Sequence, residues 1–170
     1  MGLVRTVATG ALAGAVATAA MDALWYRRYR AEGGTSGFAT WEFSNSAAGF
    51  DDDDTPAPAK VGKRIADAVG IDLPTSSVAA TNDIVHWATG MGWGKVAGLA
   101  AAIVPRPALA IGLATGVVAW GTSYAVLGAA GIYEPIDSYD LSTLWNDLSA
   151  HLVFGAALGA VLTTSRFIQR

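Results

Sequence analysis

ALAIGLATGVVAWGTSYAVLGAA, residues 108–130, runs for 23 residues without a charged side chain. At about 1.5 Å per residue, a helix of this length crosses the roughly 30 Å hydrocarbon core of a bilayer, so the segment reads as a transmembrane span. Pro105-Arg106-Pro107 stands directly before it and cannot continue a helix. The preceding apolar stretch, about Val78 to Val104, is therefore a separate span, and the two are expected to form a tight helical hairpin. On the other side, the turn-like Tyr133-Glu134-Pro135-Ile136-Asp137 leads to a further span from near Ser142 to Ile168. The first span runs from about Thr6 to Tyr26, carries one charge, Asp22, and ends in the interface anchor Trp25-Tyr26-Arg27-Arg28. The pattern predicts an all-α membrane protein, one domain over residues 1–170, with four transmembrane helices in two hairpins and both termini on one side.

Composition agrees. The chain is 52% hydrophobic and only 15% charged, against about 25% charged in soluble domains. The 20 glycines and the many alanines let helix backbones approach closely in lipid. The absence of cysteine excludes disulfides, thiolate metal sites and cysteine nucleophiles. A net charge of −3 would repel phosphate, so nucleic acid is not expected as a partner. Met1 to Ala20, with Arg5 and Ala17-Thr18-Ala19, has features of a signal peptide but is expected to be retained as the first span. Met1-Gly2 with Thr6 fits a myristoylation pattern that is expected to go unused.

Residues 31–77 are too polar to span and are read as an interfacial loop. Phe38, Trp41, Phe43 and Phe50 suit the lipid interface. Val61, Ile65 and Val69, at four-residue spacing with Lys60, Lys63 and Arg64 elsewhere, predict an amphipathic helix at about 59–70, lying on the membrane or capping the bundle. Asp51 to Asp54 lacks the spacing of a calcium loop and reads as a solvated acidic turn. The loop carries six basic residues (Arg27, Arg28, Arg30, Lys60, Lys63, Arg64), whereas Arg5, Arg106, Arg166 and Arg170 lie opposite. By raw count the loop side is slightly favoured as the cytoplasmic one.

Read at four-residue spacing, each span pairs small residues with polar ones. The first gives Gly10, Gly14, Thr18 and Asp22, and the third Gly112, Gly116, Trp120 and Tyr124. The second gives Asp83, His86, Gly90 and Gly94, and the fourth Asp147, His151, Gly155 and Gly159. The second and fourth spans share Asn-Asp ahead of a histidine and glycines four and eight residues after it, which suggests an internal duplication with a pseudo-two-fold axis along the membrane normal. Helix direction places Asp22, Asp83, His86, Tyr124, Asp147 and His151 in one leaflet and the glycines in the other. At 100° per residue, each Asp–His pair falls within about 60° on its helix and shares a face with its own glycines. The bundle should be tight at the glycine end and splayed at the loop end. Lys95, about 180° from His86, should face lipid or a partner and snorkel.

Ionisable groups inside a bilayer are costly, and several at one depth point to a proton or ion pathway or to an imidazole–carboxylate metal site built from His86, His151, Asp83 and Asp147. The competing reading is a hydrogen-bonded network that glues helices together. His86 and His151 as axial ligands of a haem are a narrower reading, disfavoured because no basic residue stands beside them for propionates and no attachment motif is present.

The region from Asn82 to Gly159 resembles the YagU-like family of bacterial inner-membrane proteins. The likeness lies in the His-containing helix, the glycine hairpin, the loop from Glu134-Pro135-Ile136-Asp137 to Trp145, and the closing helix from Asp147 to His151. It implies a bacterial plasma-membrane location with cytoplasmic termini and the polar cluster on the outer side, an orientation from which the charge count departs, and it brings no catalytic residues. No nucleophile–base set, nucleotide loop or HExxH motif is present in the sequence. The expected function is therefore non-enzymatic: a small oligomeric membrane protein whose Asp/His cluster handles protons or a divalent cation, or an accessory subunit of a larger membrane complex.

Overall fold

The computed structural model describes residues 2–43 and 49–168, with side chains described as far as Ser165. Met1 of the processing signals and Arg170 of the terminal basic group lie outside the described residues, as does the Arg166 side chain. Six α-helices follow in order, with no strand among the described residues: α1 (Leu3–Ala31), α2 (Phe38–Glu42), α3 (Ala57–Ala68), α4 (Val78–Ile103), α5 (Ala108–Ala129) and α6 (Leu141–Ile168). Three segments, Leu3–Ala31, Ala108–Ala129 and Leu141–Ser165, are long and apolar enough to cross a membrane. Helix α4 has similar length, but Asn82, Asp83, His86 and Lys95 dilute its hydropathy.

The helix ends follow local chemistry. Arg28 and Arg30 occupy the last turn of α1, where cations favour the helix dipole. After α3 and α5 the chain passes through Gly70 and Gly131 at φ 75° and 65°, the left-handed conformation that glycine adopts without a Cβ penalty. The amides that follow return to carbonyls of the last turn, Ile71 to Ala66 and Ile132 to Leu127, both at 2.8 Å. Ahead of α6, the Asp140 carboxylate accepts from the Ser142 hydroxyl, from the Thr143 amide at 2.9 Å and from the Thr143 hydroxyl. These donors hold its carboxyl well below the usual carboxylate range.

The long helices pack in the order α4, α1, α6, α5, with α3 lying on α4. Two glycine seams set the spacing. A Cβ added to Gly10 would sit 2.6 Å from the carbonyl oxygen of Gly94, and one added to Gly155 would sit 2.6 Å from that of Gly112. Backbone therefore lies on backbone in both the α1/α4 and α5/α6 pairs, with the second seam slid by about one helical turn. Between them the core is built largely of alanine (Ala13, Ala17, Ala97, Ala150) with Phe154 and Leu158. Leu12, Val16, Ile84, Val96, Val117 and Val118 are exposed on the outer faces, an apolar exterior suited to lipid.

The expected tight α4/α5 hairpin is corrected by the packing. The proline turn is as short as anticipated, but α4 and α5 contact each other far less than α4 contacts α1 or α5 contacts α6. Their glycines are committed to those partners, which leaves the α4–α5 side open. The expected helix at about 59–70 is present as α3, and its seat on α4 is made by small residues. Ala59, Gly62 and Ala66 are buried, whereas Ile65 and Val69 are exposed. The small residues let α3 seat closely on α4, with Gly62 against Thr81.

Candidate functional site

From Gly14 against Gly90, two further turns of α1 bring Asp22 level with the start of α4. There Oδ1 of Asp22 lies 2.9 Å from Nε2 of His86. Asp22 is almost fully buried, and its second oxygen, Oδ2, has no donor among the described residues. Helix α2 closes over this pair. Its Glu42 accepts a 3.1 Å hydrogen bond from the Trp87 indole of α4. Burial, together with the neighbouring Asp22 carboxylate, pushes the Glu42 carboxyl up to about 6. A protonated Glu42 is the group beside Asp22 able to supply the donor that Oδ2 lacks. Helix α2 is itself anchored by aromatic rings, Phe38 and Trp41 packing on Tyr26 at 5.2 and 5.4 Å between centroids.

Folding therefore takes up a proton at Glu42, because its folded pKa of about 6 exceeds its ordinary 4.5. The contribution is greatest below the ordinary value and is lost as pH rises through the folded one. The indole N–H resonance of Trp87, followed by NMR, should shift with a midpoint near pH 6 as α2 loosens. In Glu42→Gln the resonance should stay flat; the same midpoint in that variant would exclude Glu42 as the titrating group.

The second station lies on α6. Nδ1 of His151 is 3.0 Å from the backbone carbonyl of Asp147, one turn earlier, and 3.4 Å from its Oδ1. Tyr124 of α5 is buried here and packs against Tyr133 and Tyr139 of the following loop, at 5.3 and 5.5 Å between centroids. Burial and then the Asp147 charge push the Tyr133 hydroxyl up to about 12. Each station thus has a histidine, a carboxylate and an aromatic lid.

The sequence motif differs by one residue between the two stations, and the geometry follows. Asp147 stands four residues before its histidine and so lies along the same helical row. Asp83 stands three before His86 and is instead bonded by Asn82 at 3.2 Å, leaving His86 to find its carboxylate on α1. The structure accordingly joins Asp22 with His86, and Asp147 with His151 and Tyr124, but gives Asp83 no direct part in either pair. His86, His151, Asp83 and Asp147 do not converge as one ligand set. Among the described residues no group of three or more histidine, cysteine or acidic side chains is placed to hold a metal ion.

What the histidines do share is a cavity of about 410 Å³ at the loop end, where α4 and α5 part. His86 and His151 both line it, with Thr18, Thr89, Ser123 and Asp147. Partner chemistry assigns the protons. The Asp147 carbonyl can only accept, so Nδ1 of His151 donates; the Asp22 carboxylate accepts from Nε2 of His86. In its neutral form each imidazole therefore keeps one lone pair, on Nδ1 of His86 and Nε2 of His151. Both residues lie on the cavity wall, so these are the imidazole proton acceptors the site offers, beside the Asp147 carboxylate. Glu42, Trp87 and the paired tyrosines of the α5–α6 loop were not identified from the sequence. Glu42 is the sole acidic residue in the aromatic run from Phe38 to Phe43, a weak signal that points to an inward role only once α2 is seen to dock. No family model, curated protein or solved structure matches the chain.

Proposed function

We propose that the chain is a multi-pass membrane protein of four spans whose loop-side cavity is a proton-accepting site on a proton pathway across the bilayer, with His86 and His151 as the acceptors. The single observation that carries the reading is that the two histidines of the chain, each bonded to an aspartate, line one cavity. Each imidazole keeps a lone pair beside an aspartate, so each pair can take a proton from the cavity without leaving an isolated charge. A divalent cation has weaker support, because the potential ligands are divided between two stations.

That α4 is the fourth span is supported by its seam with α1. Backbone meets backbone from Thr6/Gly98 through Gly10/Gly94 to Gly14/Gly90, and a helix joined over this length lies at the depth of its partner. Asn82, Asp83 and His86 are half-buried, while Lys95 is exposed and long enough to snorkel. The like seams of α1/α4 and α5/α6 support two duplicated hairpins. The accessory-subunit reading draws on the exposed apolar faces, which lipid contact explains equally well.

Nitrogen-15 NMR of histidine-labelled protein in bilayers tests the proton assignment. At alkaline pH, His86 is expected as the Nε2–H tautomer and His151 as the Nδ1–H tautomer. On acidification the second protons should appear at Nδ1 and Nε2 respectively. One shared tautomer, or imidazoles that stay neutral down to about pH 5, well below the ordinary histidine value, would contradict the reading.

A further inference from the structure

We infer that the cavity is a binding site for a lipophilic organic cation, a molecule with a delocalised or quaternary positive charge on an aromatic or aliphatic body. The volume of about 410 Å³ falls in the range of pockets that enclose small organic molecules. Its walls are mainly apolar and include four aromatic side chains, Trp25, Trp93, Tyr133 and Phe154. Among the described lining residues, Asp147 is the sole acidic or basic side chain apart from the histidines. A cation taken from water into such a space requires a counter-charge, and Asp147 provides one. The faces of Trp93 and Tyr133 attract a diffuse positive charge, whereas that of Trp25 already carries the Arg28 guanidinium, 4.7 Å from its centroid. An anion would meet Asp147 with no lysine or arginine on the wall to offset it. A cationic amphiphile dissolved in the bilayer has a route inward, since α4 and α5, which bound the cavity on two sides, scarcely touch.

The inference goes beyond proton acceptance, because it needs the cavity and Asp147 but no proton movement. Binding is read at one fixed alkaline pH, so its failure and the failure of the histidine titration are separate outcomes. The experiment measures tetraphenylphosphonium binding to the full chain in nanodiscs by calorimetry, with tetraphenylborate, of the same shape and opposite charge, as comparator. Saturable binding of the phosphonium with no saturable binding of the borate is expected. Asp147→Asn should weaken the phosphonium at least tenfold, and Trp93→Leu should weaken it severalfold. The comparison of charge is made on the unsubstituted protein and so stands even if a variant fails to fold. Absence of saturable phosphonium binding, equal binding of the borate, or unchanged affinity in a folded Asp147→Asn protein would each overturn the proposal.

Discussion

Leucine at Gly94 is expected to destabilise the folded bundle strongly, whereas leucine at Gly92, two residues away on the same helix, should leave it intact. A Cβ at Gly94 would sit 2.6 Å from both Cα and N of Gly14, while at Gly92 nothing lies within 4 Å. Overpacking a core of flexible side chains costs about 1–3 kcal/mol. Here the obstacle is backbone, so α1 and α4 must separate along the seam and lose their shared contacts. We expect a loss of at least about 3 kcal/mol, near or above that upper figure, and a fall in thermal midpoint on the order of 10 °C for a chain of this size. Gly112 repeats the test in the other pair, its Cβ meeting Cα of Gly159 at 2.7 Å, with Gly121, where nothing lies within 4 Å, as the silent control. Thermal stability followed by size-exclusion chromatography in detergent distinguishes the variants. Equal behaviour of Gly92→Leu and Gly94→Leu would refute the seam.

The glycines and the apolar spans could be read directly, because a bilayer imposes length, and small residues repeated every fourth position mark one face of a helix. The ends of α4, α5 and α6 fall within one residue of the expected boundaries, since Pro105, Pro107 and Pro135 punctuate the chain. Where reading failed, the deciding contact was remote in sequence or ran against hydropathy. On α3 the expected helix is present with Ile65 and Val69 exposed, but its contact with α4 is made by Ala59, Gly62 and Ala66, which are buried. Close approach to α4 needs small residues there, and periodicity of large apolar residues does not reveal it. Helix α2 has five residues, too few to announce themselves, and docks through Glu42 and Trp87, 45 positions apart. The polar residues were recognised as a group, yet their pairing depends on whether an aspartate precedes its histidine by three residues or four. Only the register of α1 against α4 shows that Asp22 replaces Asp83 at His86.

Removing both titratable imidazoles while keeping their hydrogen bonds should eliminate proton transfer and leave the bundle folded. Alanine would strand Asp22 and Asp147 without their partners, and a buried acceptor left unpaired costs about 1–3 kcal/mol or more. Glutamine at position 86 places an amide donor near Nε2, and asparagine at position 151 places one near Nδ1, so each aspartate keeps its bond but neither residue can accept a proton near neutral pH. Each single substitution should reduce proton movement, because one station remains. The double variant should lose it. The decisive measurement is proton flux into liposomes holding a pH-sensitive dye, driven by a potassium diffusion potential, for the unsubstituted protein and the His86→Gln/His151→Asn double variant. Acidification above that of empty vesicles, falling at least tenfold in the double variant, is the result expected of a proton-accepting cavity. Flux no greater than in empty vesicles, or flux unchanged in the folded double variant, would contradict it.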